Sequence, residues 1–219
     1  MSNTPKSVPR QFRRPLVAII AAMWALFGPA CHASSQFLGI DHQLTYDNHG
    51  IWARRNQDAL IALMMAGEVG AALWEGGDSR FGRTMWQSID ATLVGGISSL
   101  ALKRVFTRQR PSDTADSNAW FKGGSNASFP SGEVTVTSAI VTPLILEYGR
   151  EHPAVYALEL LPLYDAIARL KVRGHWQTDV IAGFALGTAA GYFMHRRAAT
   201  PLVLSVMPNS VYVGFNKRF

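Results

Sequence analysis

Apolar residues recur at helical spacing along most of the chain, and polar segments with glycine or proline separate the apolar stretches. The pattern predicts helices over residues 58–75, 85–106, 131–148, 152–173 and 175–197. Pro143 predicts a bend in the third helix, and Pro162 predicts an interruption in the fourth. Asp58 is expected as the N-cap of the first helix, which Gly76-Gly77-Asp78 should end. The predicted fold is all-α, a compact bundle of about five to six helices.

Two groups of glycine fall inside predicted helices. Gly95-Gly96 costs about 1 kcal/mol per residue relative to alanine in a helix interior, so close packing must compensate. Gly183, Gly187 and Gly191 lie four residues apart and therefore share one helix face. The sequence predicts that a neighbouring helix approaches closely along this stripe.

The period of the pattern changes near the C-terminus. Apolar residues then occupy every second position, at Leu202, Leu204, Val206, Val211, Val213 and Phe215. Pro208-Asn209 between the two runs is a turn signal. We expect a C-terminal β-hairpin that packs against the helical bundle.

Residues 36–55 are polar and rich in turn formers. The segment contains Asp41, His42, His49 and Trp52. We interpret it as a surface segment or a lid. Either histidine is a candidate ligand, but solvated loop histidines are the commoner case.

Residues 1–33 have the pattern of a secretory signal peptide. The basic residues are Lys6, Arg10, Arg13 and Arg14. An apolar run over residues 16–27 follows them, and Cys31-His32-Ala33 resembles a cleavage site before Ser34. A retained membrane anchor is the alternative, although the run is short for a span of roughly 20 residues. We expect an exported protein in which residues 34–219 form one helical domain.

The charge balance changes when this leader is set aside. The whole chain of 219 residues has a formal net charge of +6. Residues 1–33 contain four basic and no acidic side chains, which leaves a charge near +2 (6 − 4). This balance gives no argument for a nucleic-acid partner. Cys31 is the only cysteine, so residues 34–219 cannot form a disulfide.

Hydropathy leaves two relations to a membrane open. The mean hydropathy is +0.06, which is high for a soluble protein and low for a protein with several spans. None of the five predicted helices is an uninterrupted apolar run of ~18 residues. We favour a bundle in the periplasm that rests on a membrane surface, with integral embedding as the alternative.

Charged and polar residues between positions 103 and 179 predict a phosphoryl-transfer site. The candidates are Lys103, Arg110, Ser131, Gly132, Glu133, Arg169, His175 and Asp179. Cations suit this chemistry because a phosphoryl group in transfer carries negative charge on its oxygens. Backbone N–H groups near Ser131 and Gly132, where a loop enters a helix, should also bind an anion. On a helix, His175 and Asp179 would share a face, so that the carboxylate holds one imidazole nitrogen and leaves the other free to attack.

The same residues resemble a three-part family signature. Its blocks are Lys103-x6-Arg110-Pro111, Pro130-Ser131-Gly132 and Arg169-x5-His175-x3-Asp179. In these blocks the chain resembles the type 2 phosphatidic acid phosphatases, whose signature also occurs in vanadium haloperoxidases and bacterial non-specific acid phosphatases. The resemblance implies that His175 attacks phosphorus and forms a phosphohistidine, which water hydrolyses. It also implies that three cations bind the phosphate oxygens, with Ser131 adding a hydroxyl.

Two positions depart from that signature. Ala168 stands where a serine usually precedes the arginine. Glu133 stands where the family has a histidine that protonates the leaving group. Three interpretations of Glu133 remain open: a working acid, a site for a diphosphate that needs little protonation, or an impaired site that binds phosphate without fast turnover.

The expected function is hydrolysis of a phosphate monoester or a lipid (di)phosphate in the cell envelope. A catalytically impaired phosphate-binding protein is the first alternative. A vanadium-dependent haloperoxidase is less favoured because of Glu133 and the small size of the chain. The expected partner is a phosphorylated small molecule or lipid at a membrane surface, and the chemistry requires no metal or other cofactor.

Overall fold

The computed structural model describes residues 39–197 and the backbone of residues 202–207 and 210–215. Five α-helices form within these residues: α1 (Arg54–Glu75), α2 (Arg80–Phe106), α3 (Gly132–Tyr148), α4 (Leu160–Lys171) and α5 (Gln177–Arg196). Short 3-10 segments, Gly50–Trp52 and Pro153–Glu159, precede α1 and α4. The predicted all-α bundle is confirmed. The proposed signal peptide, residues 1–33, lies outside the described residues.

The first two helices begin earlier than the sequence pattern predicts. Helix α1 starts at Arg54 with Ala53 as N-cap, so the prediction that Asp58 caps it is wrong. Asp58 instead lies one turn into the helix, where its carboxylate is 2.8 Å from Arg54 Nη2. Helix α2 starts before Met85 because Ser79 caps it, with its Oγ accepting a hydrogen bond from the Gly82 N–H at 2.9 Å.

The predicted fourth helix is divided. The 3-10 segment occupies its first part, and α4 carries Pro162 in its first turn, where a missing N–H costs no hydrogen bond. The fifth helix begins at Gln177, because the Asp179 carboxylate accepts the Trp176 N–H at 2.8 Å and caps the helix there. His175 therefore precedes the helix, and the prediction that it shares a helix face with Asp179 is wrong.

Helix α3 lies at the centre of the bundle, between α2 and α5. The glycine stripe of α5 faces it, as predicted. A Cβ atom at Gly183 would lie 2.5 Å from the Ser131 carbonyl oxygen, and one at Gly191 would lie 2.6 Å from Thr142 Cβ. At Gly187 it would clash with the Thr135 carbonyl. Only glycine therefore allows the two backbones to approach this closely.

Two apolar clusters surround this contact. One joins α3, α4 and α5 through Val134, Ala166, Leu170, Val180 and Phe184. The other joins α2, α3 and α5 through Ala91, Ala139, Ala190 and Met194. The second cluster is built mainly from small side chains, which keeps the three helices close together.

The segment before α1 lies at the surface, as one of the two interpretations expects, with only Asp41 and Ala53 buried among residues 39–53. Asp41 is fully buried, and His42 donates its backbone N–H to Gln177 Oε1 at 2.9 Å. Further along, the Asp47 N–H donates to the Lys171 carbonyl. A buried carboxylate and these hydrogen bonds tie the segment to α4 and α5, whereas the His49 side chain remains exposed.

In the C-terminal region, β1 (Leu202–Met207) and β2 (Ser210–Phe215) pair antiparallel, with Leu202 opposite Phe215 and Met207 opposite Ser210. The alternating pattern predicts this pairing. The predicted turn at residues 208–209 lies outside the described residues, as does any side-chain contact of the hairpin. None of the helices described here is long and apolar enough to cross a membrane.

The contact between α3 and α5 leads to a prediction about stability. Gly187→Ala should lower the free energy of unfolding by about 1–3 kcal/mol, because its methyl group meets the backbone of α3. Gly70→Ala is the matched control, since this glycine lies inside α1 with open space around it. It should raise the free energy of unfolding by about 0.5–1 kcal/mol. Urea unfolding measures both, and equal effects would contradict the close contact.

Candidate functional site

Most of the residues singled out in the sequence converge on one cavity of about 320 Å³. Five of the predicted site residues line it, Lys103, Arg110, Gly132, Glu133 and His175. They come from the last turn of α2, the loop after it, the first turn of α3, and the loop before α5. Residues far apart in the chain are thus brought together where helices begin or end.

His175 is buried at the wall of this cavity, with 3% of its surface exposed. Its Nε2 lies 3.5 Å from Arg110 Nη1. Burial lowers the pKa of His175 well below its usual value, and the positive charges of Arg169, Lys103 and Arg110 lower it further. The imidazole is therefore neutral at pH 7 and has a lone pair available for attack on an electrophile.

Asp179 lies beside this imidazole without a hydrogen bond to it. His175 Nδ1 is 3.8 Å from Asp179 Oδ2 and has no hydrogen-bond partner within the described part of the chain. The carboxylate instead accepts hydrogen bonds from Ser128 Oγ at 2.5 Å, from the Trp176 N–H, and from Arg108 Nη1 at 2.7 Å. The Asp179 carboxylate thus lies near the imidazole nitrogen that it was predicted to hold, but it forms no hydrogen bond with that nitrogen.

Arg108 is a residue that the sequence reasoning missed. Its guanidinium is fully buried between Asp179 and Asp41, 2.7 and 2.6 Å from their carboxylate oxygens. It also donates to the Ser117 carbonyl and to Thr178 Oγ1. The only sequence signal was its position two residues before Arg110, inside the first block of the signature.

The three predicted cations surround His175 in different ways. Lys103 Nζ donates to the carbonyls of Ala127 and Ser128, at 2.9 and 3.1 Å. Burial, together with the charge of Arg110, lowers the pKa of Lys103 to about 8. Arg169 is buried in the last turn of α4 and lines a second cavity rather than the first. Lys103 is thus the member of the set whose charge depends on pH near neutrality.

The predicted anion site at the start of α3 is partly occupied by the protein itself. The Ser131 N–H donates to the Asp179 carbonyl oxygen at 2.9 Å, so it does not face an anion. The Ser131 side chain is fully buried, with its Cβ 3.2 Å from where a Cβ of Gly183 would lie, and it lines neither cavity. Gly132 does line the first cavity, so that part of the predicted anion site lies at the cavity wall.

Glu133 is held by a second residue that the sequence reasoning missed, Arg54. Both carboxylate oxygens accept from this guanidinium, at 2.5 and 2.6 Å, and Arg169 Nε lies 3.6 Å from Glu133 Oε2. Burial raises the pKa of Glu133, but the Arg54 hydrogen bonds and the charges of Arg169 and Arg54 outweigh it, so the pKa lies below its usual value. Glu133 is therefore an ionised carboxylate without a proton to donate.

Gln57, on α1, binds both arginines that lie beside Glu133. Its Oε1 accepts from Arg54 Nη1 at 3.1 Å and from Arg169 Nη1 at 3.3 Å. The first helix and the segment before it thus contribute to the site, although the family signature begins only at Lys103. Among the described residues, no group of His, Cys, Asp and Glu is arranged to hold a metal ion.

The chain is similar in sequence to known proteins. A lipid A 1-phosphatase from Porphyromonas gingivalis is 28% identical over 138 residues, which are 62% of this chain and 28% of that protein. The chain thus spans less than a third of that relative's length. No solved structure matches the chain. The family model of the PAP2 superfamily matches residues 85–201, just over half of the chain and all three blocks of the signature, and the chain therefore belongs to the PAP2 superfamily.

Proposed function

We propose that this protein is a phosphatase that releases phosphate from a phosphorylated lipid. The observation that carries the proposal is a buried neutral imidazole, His175, among Lys103, Arg110 and Arg169. A neutral imidazole supplies the nucleophile, and three cations complement the charge on the transferring oxygens. Membership in the PAP2 superfamily supports the same chemistry.

In the proposed reaction His175 Nε2 attacks phosphorus, and the bond from phosphorus to the leaving oxygen breaks. The resulting phosphohistidine carries positive charge on its ring. Asp179 Oδ2 lies 3.8 Å from Nδ1, close enough for the carboxylate to stabilise this positive charge. Water then bonds to phosphorus, the P–N bond breaks, and orthophosphate leaves with the neutral imidazole restored.

An apolar wall supports a lipid as the substrate. Ile61, Leu100 and Val136 line the same cavity as His175. Leu100 and its neighbour one turn away on α2, Ile97, are 60% and 67% exposed. An alkyl chain leaving the cavity would therefore meet an apolar helix surface rather than charged groups. The relative from Porphyromonas gingivalis is named for action on lipid A.

We further propose an exported protein that works at a membrane surface facing the periplasm. Besides the apolar residues on α2, α1 exposes Leu63, Leu73 and Trp74, the last to 89% of its surface. Trp and Leu on an exposed helix face favour contact with the lipid headgroup region. The leader pattern of residues 1–33 supports export.

One observation favours a second candidate, a protein that binds phosphate without fast turnover. Glu133, in the position of the family's leaving-group acid, is ionised and held by Arg54. Alkoxide leaving groups need a proton. A panel of phosphatidic acid, phosphatidylglycerol phosphate, lipid A, a polyprenyl diphosphate and small phosphate esters separates the candidates. Phosphate release detected with malachite green supports the phosphatase, and binding without release supports the second candidate.

His175→Ala should lower kcat/KM at least about 100-fold while the helical circular dichroism spectrum stays unchanged, because a covalent nucleophile is lost. His49→Ala is the control, since this histidine is exposed and lines neither cavity. It should leave activity unchanged. Retention of more than about one tenth of the activity by His175→Ala would refute the assignment of the nucleophile.

The activity should fall as the pH rises through about 8, because Lys103 loses its charge above its lowered pKa. Below about pH 8 the Lys103 amine is protonated, and the ammonium group binds phosphate oxygens. Lys103→Arg should shift the fall to higher pH, because a guanidinium stays charged. The measurement is kcat/KM above about pH 7, where the phosphate of a monoester (pKa about 6) is ionised. An unshifted alkaline limb in Lys103→Arg would show that another group titrates.

Glu133→His and Glu133→Gln should differ on an alkyl phosphate. Both variants lose the ion pair with Arg54, but only the histidine titrates near neutrality and can protonate an alkoxide. We expect kcat/KM of the histidine variant to be about tenfold or more above that of the glutamine variant on the alkyl phosphate, a conservative share of general-acid catalysis. On a diphosphate the two should be equal. Equal values on the alkyl phosphate as well would mean that position 133 does not supply the leaving-group proton.

A further inference from the structure

A second cavity of about 310 Å³ lies beside the candidate site. Four arginines line it: Arg54, Arg110, Arg169 and Arg173. None of the described residues that line it is acidic. Arg110 lines both cavities, so the two are adjacent at this side chain. We call this second cavity the arginine pocket.

Within residues 39–197, neither Arg110 nor Arg173 forms a direct ion pair with a carboxylate. Arg110 donates to the Gly174 carbonyl at 2.8 Å and to the carbonyl and side-chain oxygens of Asn126. Arg173 Nε donates to the Leu44 carbonyl at 3.0 Å. These acceptors orient the two guanidinium groups but carry no charge. An anion would gain charge-assisted hydrogen bonds from both.

The other two arginines share Glu133 as an ion-pair partner on the side of the first cavity. Glu133 accepts both Arg54 hydrogen bonds, and its Oε2 lies 3.6 Å from Arg169 Nε. That Nε is buried and has no hydrogen-bond partner among the described residues. Arg54 also meets Asp58 on its exposed side, and the buried Asp165 acts on both arginines through its charge. None of these carboxylates lines the arginine pocket, so the described wall of the pocket carries four arginines and no acidic group.

The backbone holds Arg173 at the pocket in an uncommon conformation. Its φ of 53° lies in the left-handed region, which side chains of this size rarely adopt. The conformation is kept by hydrogen bonds from the Arg173 N–H to the Leu170 carbonyl and from the Ser112 N–H to the Arg173 carbonyl. Arg173 directly follows Val172, the C-cap of α4, where helices commonly end in this conformation, so the end of α4 fixes where Arg173 lies.

We propose that the arginine pocket binds the phosphate of a diphosphate substrate that is not attacked by His175. The inference rests on the proposed phosphatase function and names its substrate class. Arg110 lines both cavities, so a ligand whose first phosphate lies beside His175 can place a second anionic group in the arginine pocket. The second group must be attached close to the first. A diphosphate has this form, because its two phosphorus atoms share one oxygen.

The proposed reaction on a diphosphate needs no leaving-group acid. His175 Nε2 attacks the terminal phosphorus, and the bond from that phosphorus to the bridging oxygen breaks. The bridging oxygen keeps the electron pair and leaves on the inner phosphate, which departs as a lipid monophosphate. Water hydrolyses the phosphohistidine and releases orthophosphate. The extra negative charge appears on the group held by the arginine pocket, where guanidinium donors stabilise it.

Arg173→Gln tests the pocket without touching the first cavity. Its substrates are an alkyl diphosphate and the monophosphate of the same alkyl chain. We expect kcat/KM on the diphosphate to fall about tenfold or more, as for the loss of a hydrogen bond to a charged group, and to fall less than about twofold on the monophosphate. Arg104→Gln is the matched control, because it removes an exposed arginine that lines neither cavity. It should change neither value.

Tyr46→Glu covers the case in which Arg173→Gln fails to fold. Tyr46 is 54% exposed at the rim of the pocket, so a carboxylate there repels an anion without disturbing the core. It should also lower the ratio of diphosphate to monophosphate kcat/KM. If Tyr46→Glu and a folded Arg173→Gln both leave this ratio at the wild-type value, the pocket does not bind a second phosphate and the proposal is overturned.

Calorimetry separates failure of the pocket from failure of the phosphatase function. Methylenediphosphonate, which cannot be hydrolysed, should bind the wild-type protein about tenfold or more tightly than inorganic phosphate, and Arg173→Gln should remove most of that difference. This result without any turnover supports the pocket and refutes the phosphatase. Equal affinities for the two ligands, with equal dependence on Arg173, would assign the pocket to free phosphate and overturn the diphosphate as its ligand.

Discussion

The structure depends on one fully buried guanidinium, that of Arg108, which lies between the carboxylates of Asp41 and Asp179. A buried charge is tolerated only when partners replace its lost hydration, and here two carboxylates, a carbonyl and a hydroxyl do so. The interaction joins the N-terminal segment, the loop after α2 and the start of α5. Because Asp179 also caps α5 at Trp176, the same carboxylate determines where the helix begins and where His175 lies.

The candidate site is a region of excess positive charge built around an uncharged base. Burial keeps the His175 imidazole neutral, and the cations around it oppose protonation. Glu133 compensates part of the charge of Arg54 and Arg169. The remaining positive charge favours an anionic ligand, in agreement with the phosphorylated substrate that we propose.

The sequence predicted the fold class and the residues of the cavity wall, but it did not predict the hydrogen-bond partners of these residues. Lys103, Arg110 and His175 were found because their types and spacing carry the chemistry. The partners of Glu133 and Asp179 were not, because an arginine at a helix start or in a loop looks the same in the sequence whether it is solvated or buried. Arg54 and Arg108 are the two examples. Only the tertiary packing, which removes water from one arginine and exposes the next, distinguishes them.

The glycine contact between α3 and α5 has a consequence for how such an enzyme can change over evolution. Because the two backbones touch along the stripe of Gly183 and Gly187, and the Ser131 N–H bonds to the Asp179 carbonyl, the start of α3 and the loop with His175 form one rigid unit. Substitutions inside that unit move His175 whichever ligand is bound. Under the proposed function, new selectivity arises from side chains outside the unit that line the cavity, such as Ile61 on α1, because they can change without moving the imidazole.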